Sequence, residues 1–385
     1  MGTAPARIRL VQSSVNQIVS DAYLTLAHWC EPADPGIVAA LERWEPPTVV
    51  ERIKNGKIER NIRPETAKKI AQFSLQRERD YAHSIGASIV TRGESGWPTQ
   101  LEDLKGQEPF ALWSLGNADF RLMAARSIAI VGTRNCTPYG RQIARDWAAE
   151  FGQAGVTVVS GGALGIDVAA HQGALDVEAP TICVLAGGVQ SRYPKANESI
   201  FGQILDSGVL ISESPPRESP RRQRFITRNR IIAALSKATV IVEAAERSGS
   251  ESTANRAHEM NRLVFGVPGS VHSSASMGVH ELIRQRTASI VQSPDDVLDL
   301  IDVRKRDDEQ LAGKTKSTSV PESFDWRSLK QRELDVWESM PIRGALLVAD
   351  LVDSSGRSMS AVLGALAELE LMGLVARDGL FWKRL

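Results

Sequence analysis

Residues 128–140 read Ile-Ala-Ile-Val-Gly-Thr-Arg-Asn-Cys-Thr-Pro-Tyr-Gly, and this stretch decides the fold class. The four apolar residues at 128–131 predict a buried strand, because an uninterrupted apolar run of this length is typical of a parallel sheet. Thr137 and Pro138 then predict the N-cap and the first turn of a helix. A strand that passes through a short glycine-containing turn into a helix is the first half of a βαβ unit.

The same alternation of short β-branched runs with helical stretches continues to about residue 300. Further runs lie at 156–159, 182–185, 209–212, 240–243, 263–267 and 290–291. This pattern predicts the α/β class, with a Rossmann-like, doubly wound, mostly parallel sheet. Ligands of such sheets bind at the carboxyl ends of the strands, so we look for a site there.

The flanking sequence divides the chain into four predicted parts. Residues 1–95 predict a small helical, SAM-like N-terminal domain, since apolar residues recur at helical spacing between prolines. Residues 96–303 form the extended Rossmann-like domain. Residues 304–326 are polar and charged and predict a flexible linker. Residues 327–385 combine three short helical patterns with a closing hairpin, which predicts a C-terminal winged helix.

The composition limits the class of protein. The 385 residues include 46 Lys and Arg against 46 Asp and Glu, so any nucleic-acid contact must use a local patch. The three cysteines lie far apart, and we predict neither a disulfide framework nor a metal site, and no cofactor. No long apolar run and no signal-peptide pattern are present, so we expect a cytoplasmic protein without membrane association.

One basic segment stands out in this neutral chain. Residues 217–230 hold six arginines and one glutamate, a net charge of +5, and they include Phe225. Clustered arginines favour phosphate oxygens, and an aromatic ring among them favours an unpaired base, so the segment suggests single-stranded nucleic acid. Burial of Phe225 against the apolar residues 231–235 is the alternative for that side chain.

Glycine-containing loops follow several of the predicted strands. Backbone N–H groups in such loops, and at the helix starts beyond them, can hold a phosphate. We therefore predict a glycine-lined ledge along the sheet edge, with the basic segment beside it. The ledge consists of the loops at 132–134, 160–162, 187–188 and 248–250. Its candidate phosphate-binding residues are Gly132, Thr133, Arg134, Ser160, Gly161, Gly162, Gly249 and Ser250.

Several enzyme classes can be tested against the same residues. Dinucleotide binding is disfavoured, because Gly132 is not followed by the G-x-G-x-x-G pattern. The tripeptide at 313–315 resembles part of a P-loop but lacks its leading glycine. Asp167 and His171 could be half of a metal or acid–base pair, although local helix contacts are the preferred interpretation. Glu243 and Glu246 could be catalytic carboxylates, which stays a minority hypothesis.

Five segments of this chain resemble the DNA-processing protein A family, DprA, also called Smf. They occur in the family's order at residues 132–140, 160–171, 228–233, 242–250 and 267–269. The resemblance is close from about 97 to 297 and looser in the flanking parts. It implies a homodimer that binds single-stranded DNA and helps a RecA-type recombinase assemble, with single-strand-binding protein as a further candidate partner. No turnover chemistry is implied.

The resemblance also implies which residues meet DNA. The phosphate-binding positions correspond to the ledge residues above. The DNA-facing basic stretch corresponds to Arg222, Phe225, Arg228, Asn229 and Arg230. This chain departs from the family at Leu164, where arginine is common, and at Glu251, where a neutral residue is usual. Both departures lower the positive potential of the ledge, which leaves more of the binding to residues 217–230.

The leading hypothesis is a non-enzymatic single-stranded DNA-binding recombination mediator. The alternative is a nucleotide-processing phosphoribohydrolase-like enzyme on a related fold, although the run Pro-Gly-Gly-x-Gly-Thr of such enzymes does not occur. A scaffold without nucleic-acid binding is a third hypothesis. In the predicted winged helix, residues 358–371 contain no Lys or Arg, which favours protein contact or packing over DNA contact.

Overall fold

The computed structural model describes residues 6–58, 68, 70–116, 118–246, 248–301, 329–340, 346–378 and 381–384. The chain forms two compact units, residues 1–304 and residues 305–385. The predicted linker at 304–326 lies outside the described residues. Within the described residues, no helix is both long and apolar enough to cross a membrane.

The first unit is built on one nine-stranded sheet. Its strands are β1 (Ser88–Thr91), β2 (Ala111–Gly116), β3 (Ser127–Val131), β4 (Thr157–Ser160), β5 (Thr181–Val184), β6 (Val209–Ser212), β7 (Ala238–Ile241), β8 (Leu263–Gly266) and β9 (Ser289–Ile290). The spatial order is β1-β2-β6-β5-β4-β3-β7-β8-β9. The seven strands from β6 to β9 pair in parallel, and β2 joins β6 antiparallel.

This sheet confirms the predicted α/β class and the Rossmann-like arrangement. Each of the seven predicted runs coincides with a parallel strand, with boundaries that differ by no more than two residues. In the parallel part of the sheet, the first strand along the chain is β3, and β4, β5 and β6 follow on one side of it. The chain then returns, and β7 pairs with β3 on its other side. The carboxyl ends of β3 and β7 therefore flank the point where the strand order reverses.

Helices cover both faces of the sheet. In chain order they are α1 (Ala6–Trp29), α2 (Pro35–Leu41), α3 (Pro46–Lys54), α4 (Leu75–Ser84), α5 (Phe120–Ala125), α6 (Pro138–Gln153), α7 (Ile166–Asp176), α8 (Glu198–Ser207), α9 (Arg222–Leu235), α10 (Gly249–Glu259), α11 (Met277–Arg284) and α12 (Pro294–Leu300), with short 3₁₀ helices at Thr99–Leu104 and Lys195–Asn197. As predicted, Pro138 opens α6 and the Thr137 hydroxyl accepts from the Gly140 amide at 3.1 Å.

The alternation of side chains along β3 separates the two main cores. Ile128 and Ile130 belong to the apolar cluster that includes residues of α6 and α7, whereas Ala129 and Val131 belong to the cluster that includes residues of α9 and α10. Both faces of the strand are buried, which is why its sequence is apolar without interruption. The amphipathic helices thus fix the sheet from both sides.

The N-terminal helices pack on the same unit as the sheet. Their core contains Leu24, Leu26 and Val49 and also Trp113 of β2. Strand β1, which lies before residue 95, pairs with β2 along its whole length. The described residues before position 95 thus hold helices α1 to α4 and strand β1 and belong to the same compact unit as the sheet. The SAM-like domain over 1–95 stays a prediction.

The second unit contains α13 (Gln331–Glu338), β10 (Leu346–Leu347), α14 (Val348–Ser355), α15 (Met359–Leu371), β11 (Val375–Asp378) and β12 (Phe381–Arg384). Its three strands form an antiparallel sheet in the order β10-β12-β11. A core of its own includes Leu351, Leu366 and Trp382. The element order agrees with the winged helix that the sequence predicts, and that assignment stays a prediction.

Candidate nucleic-acid interface

A cavity of about 700 Å³ opens at the carboxyl edge of the sheet. Its walls come from the loops after β3 and β4, from Tyr193 beyond β5, from the first half of α9 and from the start of α10. This is the edge at which the strand order reverses between β3 and β7. The cavity therefore lies where open α/β sheets bind their ligands.

The cavity brings together nine of the thirteen residues predicted from the sequence. They come from three separate segments of the chain. The nine are Gly132, Thr133, Arg134, Arg222, Phe225, Arg228, Asn229, Gly249 and Ser250. The other four, Ser160, Gly161, Gly162 and Arg230, are not among its walls.

A buried glutamate fixes the loop between β3 and α6. The Glu243 carboxylate accepts from the Thr137 amide at 2.8 Å and from the Thr137 hydroxyl at 2.5 Å, and the Glu243 carbonyl accepts from the Thr133 amide at 2.8 Å. A Cβ on Gly132 would lie 2.7 Å from that carbonyl, so only glycine fits. Glu243 thus positions the loop, which gives no support to its role as a catalytic carboxylate. Glu246 is exposed.

Among the described residues, Arg134 and Arg222 supply the accessible positive charge of the cavity. Arg222 is exposed at the first position of α9, and its guanidinium has no partner among the described residues. The Arg134 guanidinium lies over the Phe225 ring, 5.1 Å from its centroid. Guanidinium groups in these positions can donate paired hydrogen bonds to phosphate oxygens.

Aromatic and apolar side chains line the same cavity. The rings of Tyr193 and Phe225 meet edge to face with centroids 5.8 Å apart. Tyr193 is 52% exposed and Ile226 is 56% exposed, although both are large apolar side chains. Phe225 is half-buried. Its burial therefore does not decide between base stacking and core packing, the two alternatives that the sequence leaves open. Tyr193 was not predicted; in the sequence its only signal is that it is an aromatic residue in the loop after β5, beyond Gly187 and Gly188.

Helix starts give the cavity backbone donors. Helix α10 begins at Gly249 and has no side-chain hydrogen bond at its N-cap, Ser248. The Asn229 amide donates to the Gly249 carbonyl at 3.0 Å and so fixes this start. The hydroxyls of Ser248 and Ser250 lie 2.7 Å apart. Free N–H groups and the helix dipole favour an anion at this position.

The part of the predicted ledge at 160–162 lies beneath the cavity and does not line it. The Ser160 hydroxyl donates to the Ile130 carbonyl at 2.6 Å. A Cβ on Gly161 would overlap the Arg228 guanidinium, and one on Gly162 would meet Cys183 and Phe201. These glycines are required because buried side chains occupy the space beside them. Their burial gives no support to the prediction that they hold a phosphate directly, which stays a prediction.

Arg228 forms the floor of the cavity. It is 4% exposed; its Nη1 donates to the carbonyls of Gly161, at 2.7 Å, and Val184, and its Nε donates to Asn229 at 3.2 Å. Its Nη2 has no hydrogen-bond partner among the described residues. Burial lowers the pKa of this guanidinium, an effect that the Asp167 carboxylate opposes. Arg228 is thus mainly a structural cation, and its Nη2 group is the part of the guanidinium that stays available to a ligand in the cavity.

Asp167 and His171 take part in local contacts, as the preferred interpretation holds. Burial raises the pKa of Asp167, while Arg228 and the amides of Ala163 and Gly161 oppose that shift. His171 Nδ1 lies 2.8 Å from the Thr181 hydroxyl, which itself donates to the Val158 carbonyl. The hydroxyl therefore accepts from Nδ1–H. Burial, with a smaller effect of Arg228, lowers the pKa of His171 to about 3. Among the described residues no cluster fit for a metal ion occurs.

Most of the arginine-rich segment is neutralised by the protein itself. Arg230 is 1% exposed and donates two hydrogen bonds to the Glu213 carboxylate, at 2.6 and 2.5 Å. Its Nε donates to the Gln107 carbonyl at 2.8 Å. The structure thus places Arg230 in the interior, away from the cavity, because a buried carboxylate requires its charge. This location gives no support to the prediction that Arg230 faces DNA, which stays a prediction.

The remaining cations of the segment also have internal contacts, apart from Arg222. Arg221 and Arg224 contact Glu31, and Arg217 lies over the Tyr81 ring at 3.5 Å. A sequence shows the charges of this segment but not these distant partners. The cations open to a ligand are therefore fewer than the composition of residues 217–230 suggests.

Comparison with known proteins shows which family the chain resembles. The model of a family described as DNA recombination-mediator protein A matches residues 88–302. A Mycobacterium tuberculosis protein that carries the name DNA processing protein DprA is 36% identical over 372 residues, which cover 93% of this chain and 92% of that protein. The match therefore extends beyond the sheet to the flanking parts.

Two solved structures are similar to the fold. One is DNA processing protein A from Streptococcus pneumoniae, with a TM-score of 0.57 and 29% identity, covering 72% of this chain and 95% of that one. The other is DNA processing protein A from Helicobacter pylori, with a TM-score of 0.50 and 29% identity, covering 57% and 96%. The Helicobacter structure concerns a single-stranded DNA binding mode of that protein.

Proposed function

Because the chain belongs to the DNA recombination-mediator protein A family, also named DprA or Smf, we propose that it binds single-stranded DNA in the cavity at the carboxyl edge of its sheet. The family is one of DNA-processing proteins, and a relative of known structure is described in a single-stranded DNA binding mode. The proposal assigns the same class of ligand to this chain.

One observation carries the proposal: accessible guanidinium groups, the exposed Tyr193 ring and the half-buried Phe225 ring meet around one cavity. Arg222 and Arg134 supply donors for phosphates, while Tyr193 and Phe225 supply faces for bases. Base stacking requires unpaired bases, because the faces of paired bases are covered by their neighbours in a duplex. The combination thus favours single strands over duplex DNA.

Binding without turnover is the form of activity that we propose. The carboxyl and imidazole groups nearest the cavity are held in internal contacts: Glu243 by Thr137, Asp167 by a backbone amide and His171 by Thr181. To act as a catalytic acid or base, each of these groups would have to break its hydrogen bond to that partner. These contacts favour a binding protein over the phosphoribohydrolase-like alternative.

The finer role that we propose is recombination mediation. In this proposal the protein acts as a homodimer, delivers a RecA-type recombinase to single-stranded DNA and works on strands otherwise covered by single-strand-binding protein. Family membership supports these steps. For the second unit we propose protein contact or packing, because its helix α15 carries no Lys or Arg and exposes Leu363 and Leu371.

The direct experiment is a titration with fluorescent oligothymidine DNA, either single-stranded or in duplex with oligodeoxyadenosine, across a salt series. We expect tighter binding of the single strand, with an affinity that falls as salt rises because phosphate contacts release counterions. Equal or tighter binding of the duplex would contradict the proposal. Release of free base from nucleoside monophosphates would instead support the hydrolase.

A further inference from the structure

A carboxylate from the N-terminal helical segment occupies two arginines beside the cavity. Glu31, two residues after α1, lies 3.1 Å from Arg221 Nη1. Its two oxygens also accept from Arg224, at 2.8 Å from Nε and 3.0 Å from Nη2. These three residues, which we name the Glu31 fork, join segments about 190 positions apart in the chain.

The fork adjoins the rim of the cavity. Arg221 is the N-cap residue of α9, and its two sequence neighbours, Pro220 and Arg222, both line the cavity. A strand that leaves the cavity past Arg222 therefore meets Arg221 next. Two guanidinium groups that converge on one pair of oxygens are also a geometry that suits a phosphate.

The burial of the three side chains allows such an exchange. The Glu31 and Arg221 side chains are 33% and 41% exposed, so both can separate without opening a core. Arg224 is 7% exposed and has further contacts with the Glu218 carboxylate at 3.2 Å and the Ser219 carbonyl at 3.3 Å. Arg224 would thus stay in place while Glu31 departs.

We propose that Arg221 and Arg224 form a second phosphate site for the bound strand, and that Glu31 occupies this site when DNA is absent. This inference rests on the proposed function, since the ligand is the same strand. Binding at the fork exchanges a protein carboxylate for a backbone phosphate. Glu31 therefore limits affinity and makes the strand compete with the N-terminal helical segment.

The test is Glu31→Gln, which keeps the size of the side chain and removes its charge. With a single strand of about 15 nucleotides, we expect roughly three- to tenfold tighter binding at low salt. The salt slope should stay close to that of the parent, because the bound strand places the same number of phosphates on arginines in both proteins. A strand of about four nucleotides, near the lower limit of such sites, should show little change.

Two further variants separate the fork from other effects. Glu51→Gln removes one exposed carboxylate from the same helical segment, in α3, and should leave affinity unchanged. Arg221→Ala combined with Glu31→Gln should lose the gain, because the phosphate site is then incomplete. Thermal unfolding of each variant reports whether the fold is retained.

The results that would overturn the inference are distinct from those that would overturn the proposed function. If the parent protein binds single strands but Glu31→Gln binds the 15-nucleotide strand more weakly or equally, Glu31 is a structural tie and the second site is refuted. A gain that persists without Arg221 also refutes it. If the parent protein does not bind single strands, the proposed function itself fails, and the second site fails with it.

Discussion

At the scale of single residues, similar glycines have different causes. Gly161 and Gly162 are needed because Arg228, Cys183 and Phe201 occupy the space where a side chain would be. At Gly249, no atom of the described residues lies within 4 Å of the position that a Cβ would take, and this glycine starts a helix that faces the cavity. Of the glycine loops predicted to form one ledge, the α10 start thus offers its backbone to a ligand.

Gly249→Asp tests this helix start. An aspartate there would place a negative charge where we expect a phosphate, so single-strand affinity should fall about tenfold or more. A negative charge at a helix N-terminus should leave the free energy of unfolding unchanged or raise it by about 0.3–1 kcal/mol. Oligonucleotide titration and urea unfolding measure the two effects. Gly249→Ala is the control and should bind nearly as the parent does. Unchanged affinity of the aspartate variant would remove this helix from the site.

Tyr193 provides the second test at this scale. Replacement by alanine removes an exposed ring that contacts Phe225, and base stacking on such rings contributes about 1–3 kcal/mol. Tyr193→Ala should therefore weaken single-strand binding by a factor of about 5 to 150, and Tyr193→Phe should retain most of the affinity. If both variants bind alike, the ring is not a stacking surface.

At the scale of elements, helix α9 divides its arginines between two tasks. Arg222 at its start faces the cavity, whereas Arg230 in its last two turns neutralises Glu213 in the interior. The sequence does not show that Arg222 and Arg230 have different roles, because Glu213, the partner of Arg230, comes from another segment of the chain. The charge of the run is visible in the sequence, but its accessible part is decided by packing.

Arg230→Ala should affect stability rather than binding. It would leave the Glu213 carboxylate buried without its partner, which lowers the free energy of unfolding by roughly 3–5 kcal/mol. Urea unfolding measures this loss, and Arg222→Ala is the matched control from the same helix, with an expected change within about 0.5 kcal/mol. Arg230→Met with Glu213→Leu should recover most of the stability. A stable Arg230→Ala variant with lost DNA binding would restore the prediction made from the sequence.

The strands show how far the sequence alone predicts the fold. Short apolar runs locate all seven parallel strands. Apart from the exposed edge strand β9, these strands are largely buried on both faces, which leaves few polar positions in them. The spatial order of the strands and the pairing of β1 and β2 with them depend on contacts between distant segments. For the same reason the sequence predicts nine cavity residues but misses Tyr193, Ile226 and the buried location of residues 160–162.

At the scale of the whole molecule, a buried histidine couples stability to pH. His171 of α7 is fully buried, and burial lowers its pKa to about 3. The unfolded chain takes up a proton on histidine near pH 6.5, whereas the folded protein does not until about pH 3. Stability from this residue is thus complete above pH 6.5 and is lost as the pH falls.

This linkage predicts a pH-dependent difference between the protein and a His171→Gln variant. Between pH 7 and pH 5 the free energy of unfolding of the parent should fall by about 2 kcal/mol relative to the variant, since one proton contributes about 1.4 kcal/mol per pH unit. The comparison cancels the opposite contribution of Asp167, whose pKa is raised. Urea unfolding at the two pH values measures it, and parallel pH profiles would show that His171 is protonated in the folded protein.

The central claim is that the cavity between the ends of β3 and β7 binds single-stranded DNA. The most direct measurement is the salt dependence of single-strand binding by the parent protein and by Arg134→Ala/Arg222→Ala, with exposed Arg121→Ala on α5 as control. We predict weaker binding by the double variant and a salt slope shallower by about 1.4, two phosphates at about 0.7 each, with no change for the control. A double variant that binds with the affinity and salt slope of the parent would contradict the claim.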